Sequence, residues 1–227
     1  WRQAMKHARD VRNRWSFLDL ADDAGLLDDF LARTEFSRDE RRTLASIGAL
    51  NELAPHRRAA LWNAERDPRP GDLFAGEAAS GASGPSPLRP MDPWERTEAD
   101  FAGLRLTTGP HPMELARPSL PSVATAAALR RVRHGERVHV AGQVICRQRP
   151  GTAKGVCFIS LEDETGITNV IVASRLFESE RLKITREPFL QIRGVAQQRQ
   201  GTTHVQALRI EPLEMGRLRT AESHDFG

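Results

Sequence analysis

The sequence has no tyrosine, two cysteines, and aromatic residues at only 6% of its 227 positions. It has no apolar run approaching the ~18 residues that a membrane-crossing helix needs, and no charged-then-apolar leader follows Trp1. Both observations lead us to expect a cytoplasmic chain with no membrane partner. Cys146 and Cys157 fall within stretches that read as strands, so we expect two small buried hydrophobes in a reducing compartment. No cysteine or histidine pair has metal-ligand spacing and the seven histidines are scattered, so no metal is expected. Neither Gly-x-Ser-x-Gly nor His-Glu-x-x-His occurs. The paired acids Asp22–Asp23 and Asp28–Asp29 do not supply a two-metal centre. Neighbours on a helix point about 100° apart and cannot jointly grip one ion, so these acids read as a solvated face. No catalytic residue is expected, and no cofactor.

Charge is present but unevenly spread. The whole chain carries a net charge of only +3, yet residues 128–212 hold 14 Lys+Arg against 8 Asp+Glu, a net of +6. A local basic surplus of this kind points to a polyanionic partner. The periodicity is also divided. Residues 1–66 read as helical: Phe17, Leu20, Ala24, Leu27 and Leu31 recur at three-to-four spacing, with Gly25 a break. Ser37 and Glu40 form a capping-box pattern, Gly48 sits where a helix ends in a left-handed turn, and Pro55 suits the first turn of a helix whose Leu61 and Trp62 point inward. Residues 67–90, rich in Pro, Gly, Ser and Ala, read as a flexible linker. Residues 91–127 read as a short helix capped at Asp92 followed by a proline-punctuated connector.

From residue 128 the apolar period becomes two. Val138, Val140 and Val144 alternate around Gly142, a bulge or bend. Two strands joined by Glu-Thr-Gly follow, then a short amphipathic helix, then two more strands. The order strand-strand-strand-helix-strand-strand over residues 128–213 is that of a five-stranded OB barrel, with residues 214–227 as a tail. The fold class expected is therefore α+β multidomain: an N-terminal helical region, a Pro/Gly/Ser-rich linker and a C-terminal OB-fold β-barrel.

The loop "RPGTAKG" decides what kind of site such a barrel could carry. It lacks Gly-Lys-Ser/Thr and precedes a strand rather than a helix, so it is not a phosphate-cradling nucleotidase loop. As the loop between the first two strands it would frame the binding face of an OB barrel together with the loop between strands four and five. Arg147, Arg149 and Lys154 would then approach backbone phosphates, with Arg199 on the opposing loop. The alternative is a surface hairpin with solvated charges. If Cys157, Ile159 and Leu161 fill the barrel, Phe158 faces outward as a base-stacking platform; if the strand is buried on both sides, Phe158 is core.

The run "RQRPGTAKGVCFISLEDETGITNVIV" resembles the OB region of bacterial C-family DNA polymerases, the polymerase III alpha-subunit family, and specifically their error-prone, ImuC-type branch. "LASIGALNELAPHRRAALW" is similar to the helical segment after that family's helix-hairpin-helix, and "GLRLTTGPHPMELAR" to its connector into the barrel. Residues 1–66 would then follow or end a helix-hairpin-helix element. The resemblance implies a DNA-directed DNA polymerase that copies damaged templates in damage-induced mutagenesis. It places the PHP domain and the magnesium-binding palm aspartates upstream of Trp1, so the chain is expected to be a C-terminal piece of something longer. Implied partners are single-stranded or primer-template DNA and accessory mutagenesis proteins. The family's sliding-clamp peptide, Gln-x-x-[Leu/Met]-Phe, falls at "PGDLF", where Leu73 and Phe74 remain but Pro70 replaces the glutamine. Clamp binding is therefore expected to be weak or indirect. Two competing readings stand beside this one. "FISLEDETG" also resembles anticodon-binding barrels of class II aminoacyl-tRNA synthetases, and the helices and linker could serve as a scaffold for other repair proteins.

Overall fold

The computed structural model describes residues 27, 30–31, 33–65, 86–199, 201–215 and 224–226. The chain divides into two compact units, Trp1–Leu104 and Arg105–Gly227. The helical face expected over residues 17–24, most of the linker, and Leu73 and Phe74 lie outside the described residues.

In the first unit Leu27, Phe30 and Leu31 are helical and buried, and they pack with Leu50, Leu53 and Ala60. Helix α1 (Arg38–Ser46) opens on the expected capping box: the Ser37 N–H donates to Glu40 Oε2 at 2.8 Å, and the Ser37 hydroxyl accepts from the Glu40 N–H. It stops before Gly48, whose φ of +80° lies in the left-handed region that costs glycine nothing. Helix α2 (Arg57–Glu65) starts two residues after Pro55 and turns Ala59, Ala60 and Ala64 inward. Alanines let α2 approach α1 closely, and that choice turns Trp62 outward, 37% exposed, contrary to the inward orientation expected of it. Helix α3 (Pro93–Leu104) begins with a second reciprocal cap between Asp92 and Glu95. Its Asp100, only 1% exposed, pairs with Arg57 at 2.6 Å. The same guanidinium donates to the carbonyls of Ser46 and Arg96, so one buried cation ties three segments together.

The second unit begins with helix α4 (Pro112–Ala116), capped by His111, and the short α5 (Ala126–Leu129), capped by Thr125. Then come β1 (Arg137–Gln148), β2 (Cys157–Asp163), β3 (Gly166–Val172), α6 (Ser174–Arg186), β4 (Phe189–Arg199), β5 (Thr202–Pro212) and a three-residue β6 (His224–Phe226). The strand order is β2-β3-β5-β4-β1, closed by β1–β2; all pairs are antiparallel except β3–β5. This is the five-stranded OB barrel that the alternation predicts. β6 lies parallel to Cys146–Gln148 on the free side of β1.

Closure depends on β1 serving two neighbours. Its first half pairs with β4, its second with β2, and the exchange occurs at Gly142 and Gln143. A Cβ on Gly142 would meet the Glu162 carbonyl oxygen at 2.6 Å, so only glycine lets the strands cross so closely. The interior is filled by Val140, Val144, Ile159, Leu161, Val170, Ile192 and their neighbours. Helix α6 adds Phe177 and Ile184 to that interior. Each such fully buried side chain contributes about 1.5–3 kcal/mol.

Candidate nucleic-acid interface

Strict alternation on β2 settles the orientation of Phe158. Cys157, Ile159 and Leu161 are buried at 1–2% exposure, while Phe158 stands outward, 39% exposed. Register then sets its neighbours on the outer face. Phe158 lies opposite Gln148 of β1 and Ile171 of β3; Ser160 lies opposite Asn169; Glu162 lies opposite Ile167. Across the parallel pair, Asn169 continues to His204 and Ile171 to Gln206. The result is an open face with two apolar outcrops, Phe158 and the 55%-exposed Ile167, separated by hydroxyl and amide groups.

The cations expected to frame this face divide into two kinds. Arg147 is buried. Its guanidinium donates to the carbonyls of Ile184 and Glu187, the latter at 2.6 Å, at the C-terminal end of α6. A phosphate contact from Arg147 is thereby corrected. The β1 bulge between Val144 and Cys146 shifts the alternation, so residue 147 turns inward and its charge serves a helix end. Arg149 lies over the Phe177 ring, 4.4 Å from its centroid, and pairs with Glu178 at 2.6 Å. Its charge is largely matched within the protein. Lys154 is exposed, at a left-handed φ of 50° beside Gly155. Arg199 is exposed at the end of β4. Neither has an ion-pair partner among the described residues.

A second set of cations gathers at the β4–β5 end, in the run "RRVRHGER" over residues 130–137. Arg130, Arg131, Arg133 and Arg137 are all exposed, and none is ion-paired among the described residues. Backbone bonds pin this run to β4: the Gly135 N–H donates to the Ala196 carbonyl, and the Ala196 N–H to the Glu136 carbonyl, both at 2.8 Å. Gln198 adds a bond from its Nε2 to the Val132 carbonyl at 2.8 Å. The ridge therefore sits beside Arg199 on a fixed backbone. The motifs of the two barrel loops do not point to this run; its signal in the sequence is four arginines in eight residues.

The buried Asp163 holds the same end together. Its carboxylate accepts from the N–H groups of Ala126 and Thr165 at 2.7 Å and of Gly166 at 3.1 Å, fixing α5 against the β2–β3 turn. Arg117 stands 3.5 Å from Asp163 and donates to both carboxylate oxygens of Glu164. Those bonds hold the Glu164 carboxyl below its ordinary range against a burial effect that pushes it up. Among the described residues no group of three or more His, Cys, Asp or Glu is placed to hold a metal ion. No helix there is long and apolar enough to cross a membrane.

Residues 138–213 match the model of the OB-fold nucleic acid binding domain. The error-prone DNA polymerase of Anaeromyxobacter sp. (strain K) is 39% identical over 210 residues, covering 89% of this chain and 18% of that protein. The error-prone DNA polymerase of Dechloromonas aromatica (strain RCB) is 38% identical over 219 residues, covering 95% and 20%. Among solved structures, asparaginyl-tRNA synthetase from Pyrococcus horikoshii with asparaginyl-adenylate overlaps 40% of this chain and 22% of its own, at 19% identity and a TM-score of 0.36. The chain thus spans about a fifth of the length of the curated relatives it matches. Over that matched segment, with its closed barrel in place, the chain is similar to a part of the error-prone DNA polymerases.

Proposed function

We propose that this chain supplies the DNA grip of an error-prone DNA polymerase, with the barrel holding single-stranded template across the β2–β3 face. One observation carries the reading: an outward phenylalanine, Phe158, on an open sheet face with cations at both ends that have no ion-pair partner among the described residues, Lys154 at one and Arg199 with the 130–137 ridge at the other. Cations attract the phosphates without regard to sequence, and a base stacks on Phe158 because every base has a π-face. Most of the positive charge lies at the β4–β5 end, so the electrostatic capture of the strand starts there.

The whole enzyme would copy damaged templates in damage-induced mutagenesis and translesion repair synthesis, in the cytoplasm. Its nucleotidyl transfer and its magnesium would reside in segments other than this one. Accessory mutagenesis proteins would recruit it, with the sliding clamp contributing weakly through Leu73 and Phe74. The names of its relatives and the family likeness support this wider reading.

The test is fluorescence anisotropy of the full chain with labelled single-stranded DNA at a series of salt concentrations. Affinity should fall steeply with salt. Replacing Arg130, Arg131 and Arg133 together by alanine should reduce the slope of log affinity against log salt by about 2, at ~0.7 per phosphate contact. Phe158→Ala should cost about 1–3 kcal/mol with little change in that slope. Absence of binding at low salt would refute the reading.

A further inference from the structure

We propose that the groove between α5, the start of β3 and the β4–β5 turn seats one nucleotide of the bound DNA strand, its base against Ile167 and its phosphate at Arg130. The proposal rests on the single-strand reading above and adds a defined subsite to it.

The groove holds about 560 Å³, within the range of roughly 300–1,000 Å³ that small-ligand sites occupy and ample for one nucleotide. Its wall is apolar: Ala126 and Leu129 from α5 and the exposed side of Ile167 from β3. Its rim is polar, with Asn169, Gln198, Thr202 and Thr203, and Arg130 stands at one side.

Two of the rim amides are already oriented by bonds on their far sides. The Ser160 hydroxyl donates to Asn169 Oδ1 at 3.3 Å, which leaves the two N–H donors of that amide for a ligand. Gln198 spends an Nε2 proton on the Val132 carbonyl at 2.8 Å, which leaves its Oε1 as an acceptor. A fixed donor and a fixed acceptor above an apolar wall suit the edge and face of a nucleobase. A single cation at the side suits one phosphodiester.

Position favours a nucleotide over any other occupant. Ile167 and Asn169 belong both to the groove and to the outer β2–β3 face, so a strand stacked on Phe158 enters the groove without leaving the surface. The Asp163 carboxylate, by fixing α5 to the β2–β3 turn, sets the width of the groove. The ridge that would capture the strand begins at Arg130 itself, on the groove's side. The base seated here would therefore be held at the end of the face where the charge is densest.

The test compares oligo(dT) with an abasic oligomer of the same length, bound to the full chain by anisotropy. Asn169→Ala should weaken oligo(dT) about fivefold, the loss of one hydrogen-bonding partner, and leave the abasic strand unchanged. Arg130→Ala should weaken both strands alike and lower the salt slope by about 0.7. Ile167→Ala, at an exposed position, serves as the second base-directed variant should Asn169→Ala lose its circular dichroism spectrum. The groove assignment is overturned if Asn169→Ala or Ile167→Ala affects both strands equally, or neither, while Phe158→Ala still weakens oligo(dT). Failure of the unaltered chain to bind either strand would instead remove the single-strand reading itself.

Discussion

Replacing Arg147 by methionine separates a structural cation from a DNA-binding one. Methionine keeps much of the apolar stem and removes the guanidinium, so the bonds to the Ile184 and Glu187 carbonyls are lost with little loss of packing. A hydrogen bond from a charged donor contributes about 1.5–3 kcal/mol, and a cation near a helix C-terminus about 0.3–1 kcal/mol. Ile184 is fully buried, so its carbonyl is left without water, while Glu187 is half-buried and its carbonyl can recover some solvation. The net cost is therefore about 3 kcal/mol rather than the full sum. With a urea m-value of about 1.5–2 kcal/mol/M for a unit of this size, the midpoint should fall by about 1.5–2 M. The assay is urea unfolding followed by far-ultraviolet circular dichroism. Tryptophan fluorescence will not report it, because Trp1, Trp15, Trp62 and Trp94 all lie in the Trp1–Leu104 unit and the chain has no tyrosine. At low urea, affinity for single-stranded DNA should stay within about twofold of the unaltered chain. A variant with unchanged stability and much weaker DNA binding would refute the reasoning and return Arg147 to the phosphate-contacting set.

The helical unit offers the converse experiment. Asp100→Ala strands the Arg57 guanidinium without its buried carboxylate partner and should destabilise that unit by about 3–5 kcal/mol, read by tryptophan fluorescence in urea. The barrel unit should lose stability on mild acidification through His111. Burial holds that imidazole below its ordinary pKa against the pull of Glu162, Glu164, Asp163 and Glu114; its Nδ1 accepts from the Met113 N–H, and its Nε2 is buried with no hydrogen-bond partner among the described residues. A depressed folded-state value means that the unfolded chain takes up the proton first. Its contribution to stability is thus complete above about pH 6.5 and is lost as pH falls through the lower folded-state value. His111→Asn, which can still cap α4, should flatten the change in urea midpoint between about pH 7.5 and about pH 5.5; an identical slope in the variant would exclude His111 as its source.

The barrel was legible in the sequence because its pattern is local and strict. The alternation of Cys157, Ile159 and Leu161 marked β2 as a strand lining the barrel, though it left open whether Phe158 is outward or core, and the capping box at Ser37 predicted where α1 begins. The site was only half legible. Charge can be counted along a chain, but commitment of a charge depends on partners far away in sequence. Arg147 and Arg149 are absorbed by α6 and its C-terminal end, 28 to 40 residues downstream, through a bulge that no alternation rule locates. Arg130, Arg131 and Arg133 become relevant because β4 returns beside them, again a non-local pairing. Trp62 misled for a related reason: its size argued for burial, while the close approach of α1 and α2 required alanines at the contact.

The two-partner strand β1 also sets the order in which this chain can acquire its structure. Its first half waits for β4, with Arg137 opposite Val195 and Gln143 opposite Phe189, whereas α1 and α2 meet across a short connection. Pairings between distant segments form slowly because the intervening loop must close first. On a ribosome the helical unit can therefore fold while β1, β2 and β3 have emerged and the barrel is still open. Until β5 arrives to join β3 to β4, both of those strands present bare edges to any neighbouring chain, and such edges invite association. The barrel's vulnerability to aggregation is thus concentrated in the interval before residues 202–212 are made.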